Sequence, residues 1–435
     1  GGGDSTERLG GGNAGLADLE MEVRLHKYLI GGPDMGDNGR HDDLDRPLYA
    51  MGAGAGNDGE RCSRISEGNN INNDVTAPAA TLALALIYLK TGNHAVAASL
   101  ALPDTHFLME YVRPDFCMLR VVARTMILWD ECEPTIDWIQ RQIPLFVRKS
   151  YRDMKKTALM SMGMTEAEFE RQKGNEERAD ELENQMDEEE RSDETMEVDR
   201  PSIRQVHAFA TAGACFGMGL RYSGTGSASA ASAIMKCIAA LRDLRDDPGP
   251  VSVALRPAEP PVLEMCLGQC AIALGLVNAG TGCLDSLRVL KMLRWRCDDI
   301  VTYGSHMAYS SAIGLLYLGG GTCTIGRSNE DIAALMMASY PRFATTTTDN
   351  QFHLQALRHF YALAVKEREI RTIDIDTKEQ VSVEVEVEYV DEEKNTSLTR
   401  VFKTPFLLLN TREKPLNLGV NSAVYYKVKV PVDPT

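Results

Sequence analysis

Four stretches of the chain share one pattern of apolar and small residues that ends in glycine: LALALIYLKTG (residues 82–92), GMGLRYSGTG (217–226), IALGLVNAGTG (272–282) and SAIGLLYLGGG (311–321). In each, a small residue (Ala85, Gly219, Gly275, Gly314) precedes a leucine, an apolar turn of helix follows, and glycine closes it at Gly92, Gly224, Gly280 and Gly319. A small residue on a buried helix lets a second backbone come close, and a closing glycine supplies the positive φ of a helix C-terminus. The interval from Gly275 to Gly314 is 39 residues, the length of a helix-pair repeat. One such unit cannot bury its apolar stripe alone, whereas stacked units can. The eight residues are therefore expected to be structural repeat positions in a mainly α protein, a curved or toroidal solenoid of helix pairs.

The same reading divides the chain. Residues 1–70 are rich in Gly, Asp and Asn and predict a flexible N-terminal segment with one helix, about residues 16–32 (LADLEMEVRLHKYLIGG), which stops at Gly-Gly-Pro. Residues 71–368 carry the helical period, including FCMLRVVARTMILW (116–129), a run apolar enough for a buried helix. HLQALRHFYALAV (353–365) keeps an Ala362-Leu363 pair without the glycine turn, as a terminal unit would. Within this region, residues 150–200 are expected to be an acidic, disordered insertion, since 181–200 alone hold ten acidic side chains and two arginines. Residues 369–435 switch to a period of two. Val381, Val383, Val385, Val387 and Tyr389 alternate with Ser382 and three glutamates, and VYYKVKVPV (424–432) alternates similarly. A small antiparallel β-module is predicted there.

Composition narrows the function classes. With 44% hydrophobic residues the chain can bury a sizeable core, and its formal charge of −16 disfavours a nucleic-acid partner. No uninterrupted apolar run reaches about 18 residues, so no transmembrane helix is expected. The N-terminus has neither an initiator methionine nor a signal-peptide pattern, and a fragment of a longer polypeptide is expected. Ten cysteines include no CxxC pair, which points to small core residues in a reducing, intracellular setting. Glycine triplets of GxGxxG spacing at Gly10-Gly12-Gly15 and Gly54-Gly56-Gly59 neither follow a strand nor open a helix. DMGDNG (34–39) resembles the start of a calcium loop but lacks the acidic third position and the closing glutamate, and the sequon at Asn395 means little without secretion. His353 and His359 are six apart, off metal-ligand spacing. No catalytic, cofactor-binding or metal-ligating residue is nominated. A thiol enzyme using Cys266 or Cys297 is the competing, weaker idea. Thr404-Pro405 is the one Ser/Thr-Pro pair open to proline-directed phosphorylation.

Several longer words carry a resemblance: INNDVTAPAATLALALIYLKTGN (71–93), LALPDTHFLMEYVRPDFCMLRVVARTMILWD (100–130), GACFGMGLRYSGT (213–225), HMAYSSAIGLLYLGGG (306–321) and TDNQFHLQALRHFYALAV (348–365). Together they resemble the proteasome/cyclosome repeat region in the family of the largest anaphase-promoting complex subunits. The resemblance implies a non-catalytic scaffold in a ubiquitin ligase that marks cell-cycle regulators for destruction. It implies as partners the cullin-RING module, the Doc-domain subunit, tetratricopeptide-repeat subunits and the co-activator, with no nucleic acid, membrane or cofactor. Residence in nucleus and cytoplasm is expected with it. The alternative is a repeat subunit of the proteasome base, a platform for ubiquitin-like domains.

Overall fold

The computed structural model describes residues 21–30, 32–33, 70–71, 73–105, 109, 112–165, 168–169, 200–344, 346, 348, 353–391, 396–408, 413–420, 422 and 424–432. Residues 34–39, 170–199 and Asn395, and the glycine triplets at 10–15 and 54–59, lie outside them. The chain forms two compact units divided inside one long helix: residues 1–133 with 141–214, and residues 134–140 with 215–435. That division differs from the three segments expected from sequence, because the β-module shares a unit with the later repeats.

In the first unit, α1 (Met21–Ile30) packs on α2 (Asn73–Ile87), and between them β1 (Gly32–Pro33) pairs antiparallel with β2 (Asn70–Ile71). Helix α3 (His94–Ser99) starts where the Asn93 side chain accepts a hydrogen bond from the Val96 N–H at 3.1 Å, an N-cap. Helix α4 (Pro114–Ile127) has proline in its first turn, where the missing N–H costs nothing. It packs on α2 with Val121, Val122, Ala123, Met126 and Ile127 essentially inaccessible. Helix α5 (Ile136–Arg141) belongs almost wholly to the second unit, and the chain returns to the first with α6 (Leu145–Ser161), which buries Val147, Met154 and Ala158 along one face. The expected insertion is corrected here: residues 150–161 are helical because these apolar positions recur at helical spacing among the lysines and arginines. Tyr151 of α6 then stacks on His207 of α7 (Arg200–Arg221), ring centroids 3.8 Å apart.

The second unit holds the end of α7, then α8 (Ala228–Asp246), α9 (Pro250–Leu255), α10 (Pro260–Val277), α11 (Leu284–Arg294), α12 (Tyr303–Leu316) and α13 (Asn329–Ala338). Their starts are written in the sequence. Ser227 caps α8, and reciprocal capping boxes, Thr302 with Ser305 and Ser328 with Asp331, open α12 and α13. Helix α10 is long and apolar enough to cross a membrane, yet 83% of it is buried inside the unit, packed on α8 and α12. It is the central core helix of this unit.

β-structure begins earlier than the sequence predicts. β3 (Cys323–Ile325) pairs antiparallel with β4 (Val365–Glu367), inside the region read as all helix. Between them, His353–Ala364 forms a 3₁₀ helix rather than a repeat helix. Its end is set by β3 and not by a glycine turn, since the Ala364 carbonyl accepts from the Gly326 N–H at 2.8 Å.

Short pairs then join β5 (Glu369–Ile370) to β10 (Phe406–Leu407) and β6 (Thr372–Ile373) to β7 (Gln380–Val381). The main sheet, of order β12-β11-β8-β9, comprises β8 (Glu384–Asp391), β9 (Thr396–Lys403), β11 (Glu413–Val420) and β12 (Lys429–Pro431). Alternation works as predicted: Val385, Val387 and Tyr389 form a small core with Phe402, Phe406, Leu408, Leu418 and Val420. Only the end of the 424–432 run is strand, and Tyr426 is 93% exposed. Thr404 is 2% exposed, its hydroxyl bonded to Thr372 and to the Val383 backbone. Buried in the β-module, it is no accessible phosphorylation site.

Candidate functional site

A helix leaves its last carbonyls without intrahelical partners. In this chain the glycine turns supply those partners, and they do so three times with one geometry. Lys90 and Gly92 donate their N–H groups to the carbonyls of Met126 and Ile127, at 2.9 and 3.0 Å. Gly224 and Gly226 donate to Leu276 and Val277, both at 2.8 Å; Gly280 and Gly282 donate to Leu315 and Leu316, at 2.9 and 3.0 Å. In every case the acceptors are the last two residues of a later helix in the same unit: α4, α10 and α12. A threonine stands between the two donors each time, and Thr91, Thr225 and Thr281 each donate a side-chain hydrogen bond to the carbonyl three residues back.

Both donor positions need positive φ, which Gly224, Gly226, Gly280 and Gly282 adopt at 62–71°. Lys90 adopts φ 60° in the same role. The alignment read from sequence is thereby corrected in one place: Gly92 corresponds to Gly226 and Gly282, while Lys90 corresponds to Gly224 and Gly280. Gly319, φ 57°, begins a run of three left-handed glycines that leads into β3.

The small residues make the second half of the joint. A Cβ on Gly219 would stand 2.7 Å from the Ala273 Cα, and one on Gly275 would stand 2.8 Å from the Ala312 Cα. Each glycine therefore receives the alanine two positions before the next repeat's small residue. Ala85 is wholly buried. Gly314 departs from the rule: it is exposed, and no atom lies within 4 Å of where its Cβ would be.

Strand β3 seals the turns of the second unit. The Thr324 hydroxyl donates to the Gly224 carbonyl at 3.1 Å, and Arg368 donates to the carbonyls of Gly321 (3.0 Å) and Gly280. The turns are packed backbone to backbone beneath it: a Cβ on Gly224 or Gly280 would collide with the carbonyl of Ile325 or Cys323.

A charged cluster fixes the other end of these helices. Glu264, the sole charge in α10, is 2% exposed and pairs with Nε of Arg245 and Nη1 of Arg296, each at 2.6 Å. Tyr309 of α12 donates to Glu264 at 2.9 Å and accepts from Arg296 at 2.7 Å. Arg245 also reaches Asp246 and Asp298. Burial draws its guanidinium pKa down, but the bonds to Asp298 and Asp246 and the Glu264 charge outweigh it, so the net shift is upward. The hydrogen bond from Arg245 in turn holds Asp298 below the usual carboxylate range. A carboxylate locked between two guanidiniums ties helices together and offers no free base. A lone charge in an apolar helix is the signal that sequence reasoning passed over.

Placement speaks against the thiol-enzyme idea at Cys266. Cys266 is inaccessible, and burial raises its pKa well above that of an ordinary thiol, which leaves no thiolate nucleophile there. Cys215 packs against Cys237 and Cys270, and those contacts together with burial raise it as well. Cys297 is exposed, with its sulfur 3.6 Å from the Trp295 carbonyl. Among the described residues, no His, Cys, Asp and Glu group has a metal-holding arrangement.

These joints define a helical-repeat protein whose helix pairs are stacked through glycine turns. The family model described as APC1 fifth domain matches residues 8–366, and the chain belongs to the anaphase-promoting complex subunit 1 family. Anaphase-promoting complex subunit 1 of Mus musculus is 34% identical over 376 residues, covering 86% of this chain and 17% of that protein. The subunit of the same name from Dictyostelium discoideum is 38% identical over 357 residues, 80% of this chain and 15% of that protein. A protein of Emericella nidulans called negative regulator of mitosis is 33% identical over 314 residues, 72% and 13% respectively. The chain thus spans less than a fifth of the length of these relatives, and the main C-terminal sheet falls beyond the residues that the family model matches.

Proposed function

We propose that the chain is a non-catalytic scaffold region of an anaphase-promoting complex, a cullin-RING ubiquitin ligase that directs cell-cycle regulators to degradation. On this reading the repeats form a platform on which the cullin-RING module, the Doc-domain subunit, tetratricopeptide-repeat subunits and the co-activator assemble, in nucleus and cytoplasm. The recurring paired hydrogen bonds between each glycine turn and the end of a later helix carry the proposal. Such joints give a stiff surface whose stability resides in contacts between neighbouring repeats, as a platform requires. Family membership supports the machine, and the buried, protonated Cys266 supports the absence of thiol chemistry.

The test is to purify the parent protein from its own cells and identify co-purifying chains by mass spectrometry. A cullin, a RING protein and tetratricopeptide-repeat proteins are expected. An ATPase ring in their place would assign the repeats to the proteasome base and overturn the proposal.

A further inference from the structure

Helix α11 presents a continuous outward ridge. Leu284, Arg288, Lys291, Met292 and Trp295 are all exposed, and each stands three or four residues from another of the set, the spacing at which helix side chains become neighbours. The ridge runs about 16 Å along the helix, to a C-cap, Trp295, that keeps helical φ and ψ. Trp295 is 79% exposed and Leu284 62%, although tryptophan is on average a highly buried residue. Charge sets the ridge apart from the rest of the molecule. The chain carries −16, yet α11 holds Arg288, Lys291 and Arg294 against one acid, Asp285. Asp285 pairs with Arg288 at 2.7 Å on the surface, while the side chains of Lys291 and Arg294 have no hydrogen-bond or ion-pair partner among the described residues.

The fold does not ask for these side chains. Helices α8 and α11 each follow a glycine turn, and with Gly224 and Gly226 set on Gly280 and Gly282 the two can be compared place by place. Where α11 carries Leu284, Arg288 and Trp295, α8 carries Ala228, Ser232 and Ala239. Each helix is anchored by its opposite face, through Ile238 and Leu241 in α8 and Leu290 and Leu293 in α11. Small residues therefore suffice on the outside of such a helix, and the bulk and charge of the α11 ridge serve something other than its packing.

We propose that the α11 ridge is a docking surface for an acidic segment of a partner subunit. The segment sets an apolar side chain against Leu284 and Trp295 and its carboxylates against Lys291 and Arg288, with Arg294 at the flank. Charge complementarity selects this occupant. An extended polyanion such as a membrane surface or a nucleic acid meets the field of the whole acidic chain, which repels it. A short acidic segment lies within the screening length, about 8–10 Å, of the ridge cations and responds to them first. Tryptophan and arginine are also the residue types that anchor protein interfaces. The inference rests on the scaffold reading, which supplies the partner.

The experiment uses the parent protein in its purified assembly, with a photo-crosslinking benzoylphenylalanine in place of Leu284. The expected product is an adduct to a segment of another subunit in which Asp and Glu outnumber Lys and Arg. Joint Lys291→Glu and Arg294→Glu substitution, and separately Trp295→Ala, should abolish it with the melting temperature unchanged, because all three side chains are exposed. Raising salt from about 0.1 M to about 1 M shortens the screening length from about 10 Å to about 3 Å and should weaken it as well. An adduct to a basic or neutral segment, to residues 181–200 of this chain, one indifferent to these changes, or none at all would overturn the site with the assembly intact. Capture of the purified parent protein by phosphatidylserine vesicles, lost on the charge reversal, would make the ridge a membrane contact and overturn it too. If no other subunit co-purifies with the unaltered protein, the scaffold reading itself fails, and the docking surface with it.

Discussion

Gly275 and Ala312 meet backbone to backbone: a Cβ added to Gly275 would stand 2.8 Å from both the Ala312 Cα and its carbonyl oxygen. No flexible side chain can yield there, so Gly275→Ala must move a helix. A loss of about 1–3 kcal/mol is expected in urea denaturation. Gly314→Ala meets nothing within 4 Å and should instead gain about 0.5–1 kcal/mol from the better helix former. Equal effects at the two glycines would refute position-specific packing.

The turns rank by what lies over them. Gly92 has φ 65° and open space around its Cβ position. Gly92→Ala should therefore cost only the left-handed penalty of about 1–2 kcal/mol. Gly280→Ala adds a collision with the Cys323 carbonyl to the same penalty, and its denaturation midpoint should fall further. Lys90 already bears a side chain at φ 60°, so the left-handed turn alone does not forbid one.

Removing Glu264 takes the carboxylate from the half-buried Arg296, while Arg245 keeps Asp246 and Asp298. Glu264→Ala is expected to destabilise the fold by about 3–5 kcal/mol, the cost of leaving buried charge unpaired. Tyr309→Phe deletes two bonds to charged groups, the one donated to Glu264 and the one accepted from Arg296, at about 1.5–3 kcal/mol for each. The double variant should lose less than the sum of the two, because both act on one network. Additive losses measured by calorimetry would dissolve the network.

His207 sets a pH dependence. Burial lowers its pKa from 6.5 to about 4, so the folded protein holds the imidazole neutral while the unfolded chain protonates it. Stability from this group is complete above pH 6.5 and drains as pH falls towards 4, by about 3 kcal/mol in all. His207→Phe keeps an aromatic ring against Tyr151 and should flatten the change in melting temperature between pH 7 and pH 5. An unchanged slope would mean that the imidazole is not the group responsible.

The residues that were legible in sequence are those whose chemistry is local. Alternation marked the strand around Val387, and glycine marked the turns, since only glycine takes positive φ without strain. What escaped depends on partners distant in sequence. Helix α4 accepts the first turn through Met126 and Ile127 but ends in Leu128-Trp129, without glycine, so nothing in the repeat pattern marked it. Strand β3 and Arg368 seal turns up to 100 residues away, and no local periodicity encodes that. The small residue at Gly314 matched its siblings in spelling and differs only in what comes next.

The joints run one way along the chain. Gly224 and Gly226 find their acceptors in α10, and Gly280 and Gly282 find theirs in α12; each turn is completed by the repeat made after it. A growing polypeptide therefore leaves the ribosome with its newest turn always open, and closes it only when the following helix emerges. A product stalled or truncated before that helix is left with one unfinished turn at its leading end, its two donors without the carbonyls that receive them in the finished fold.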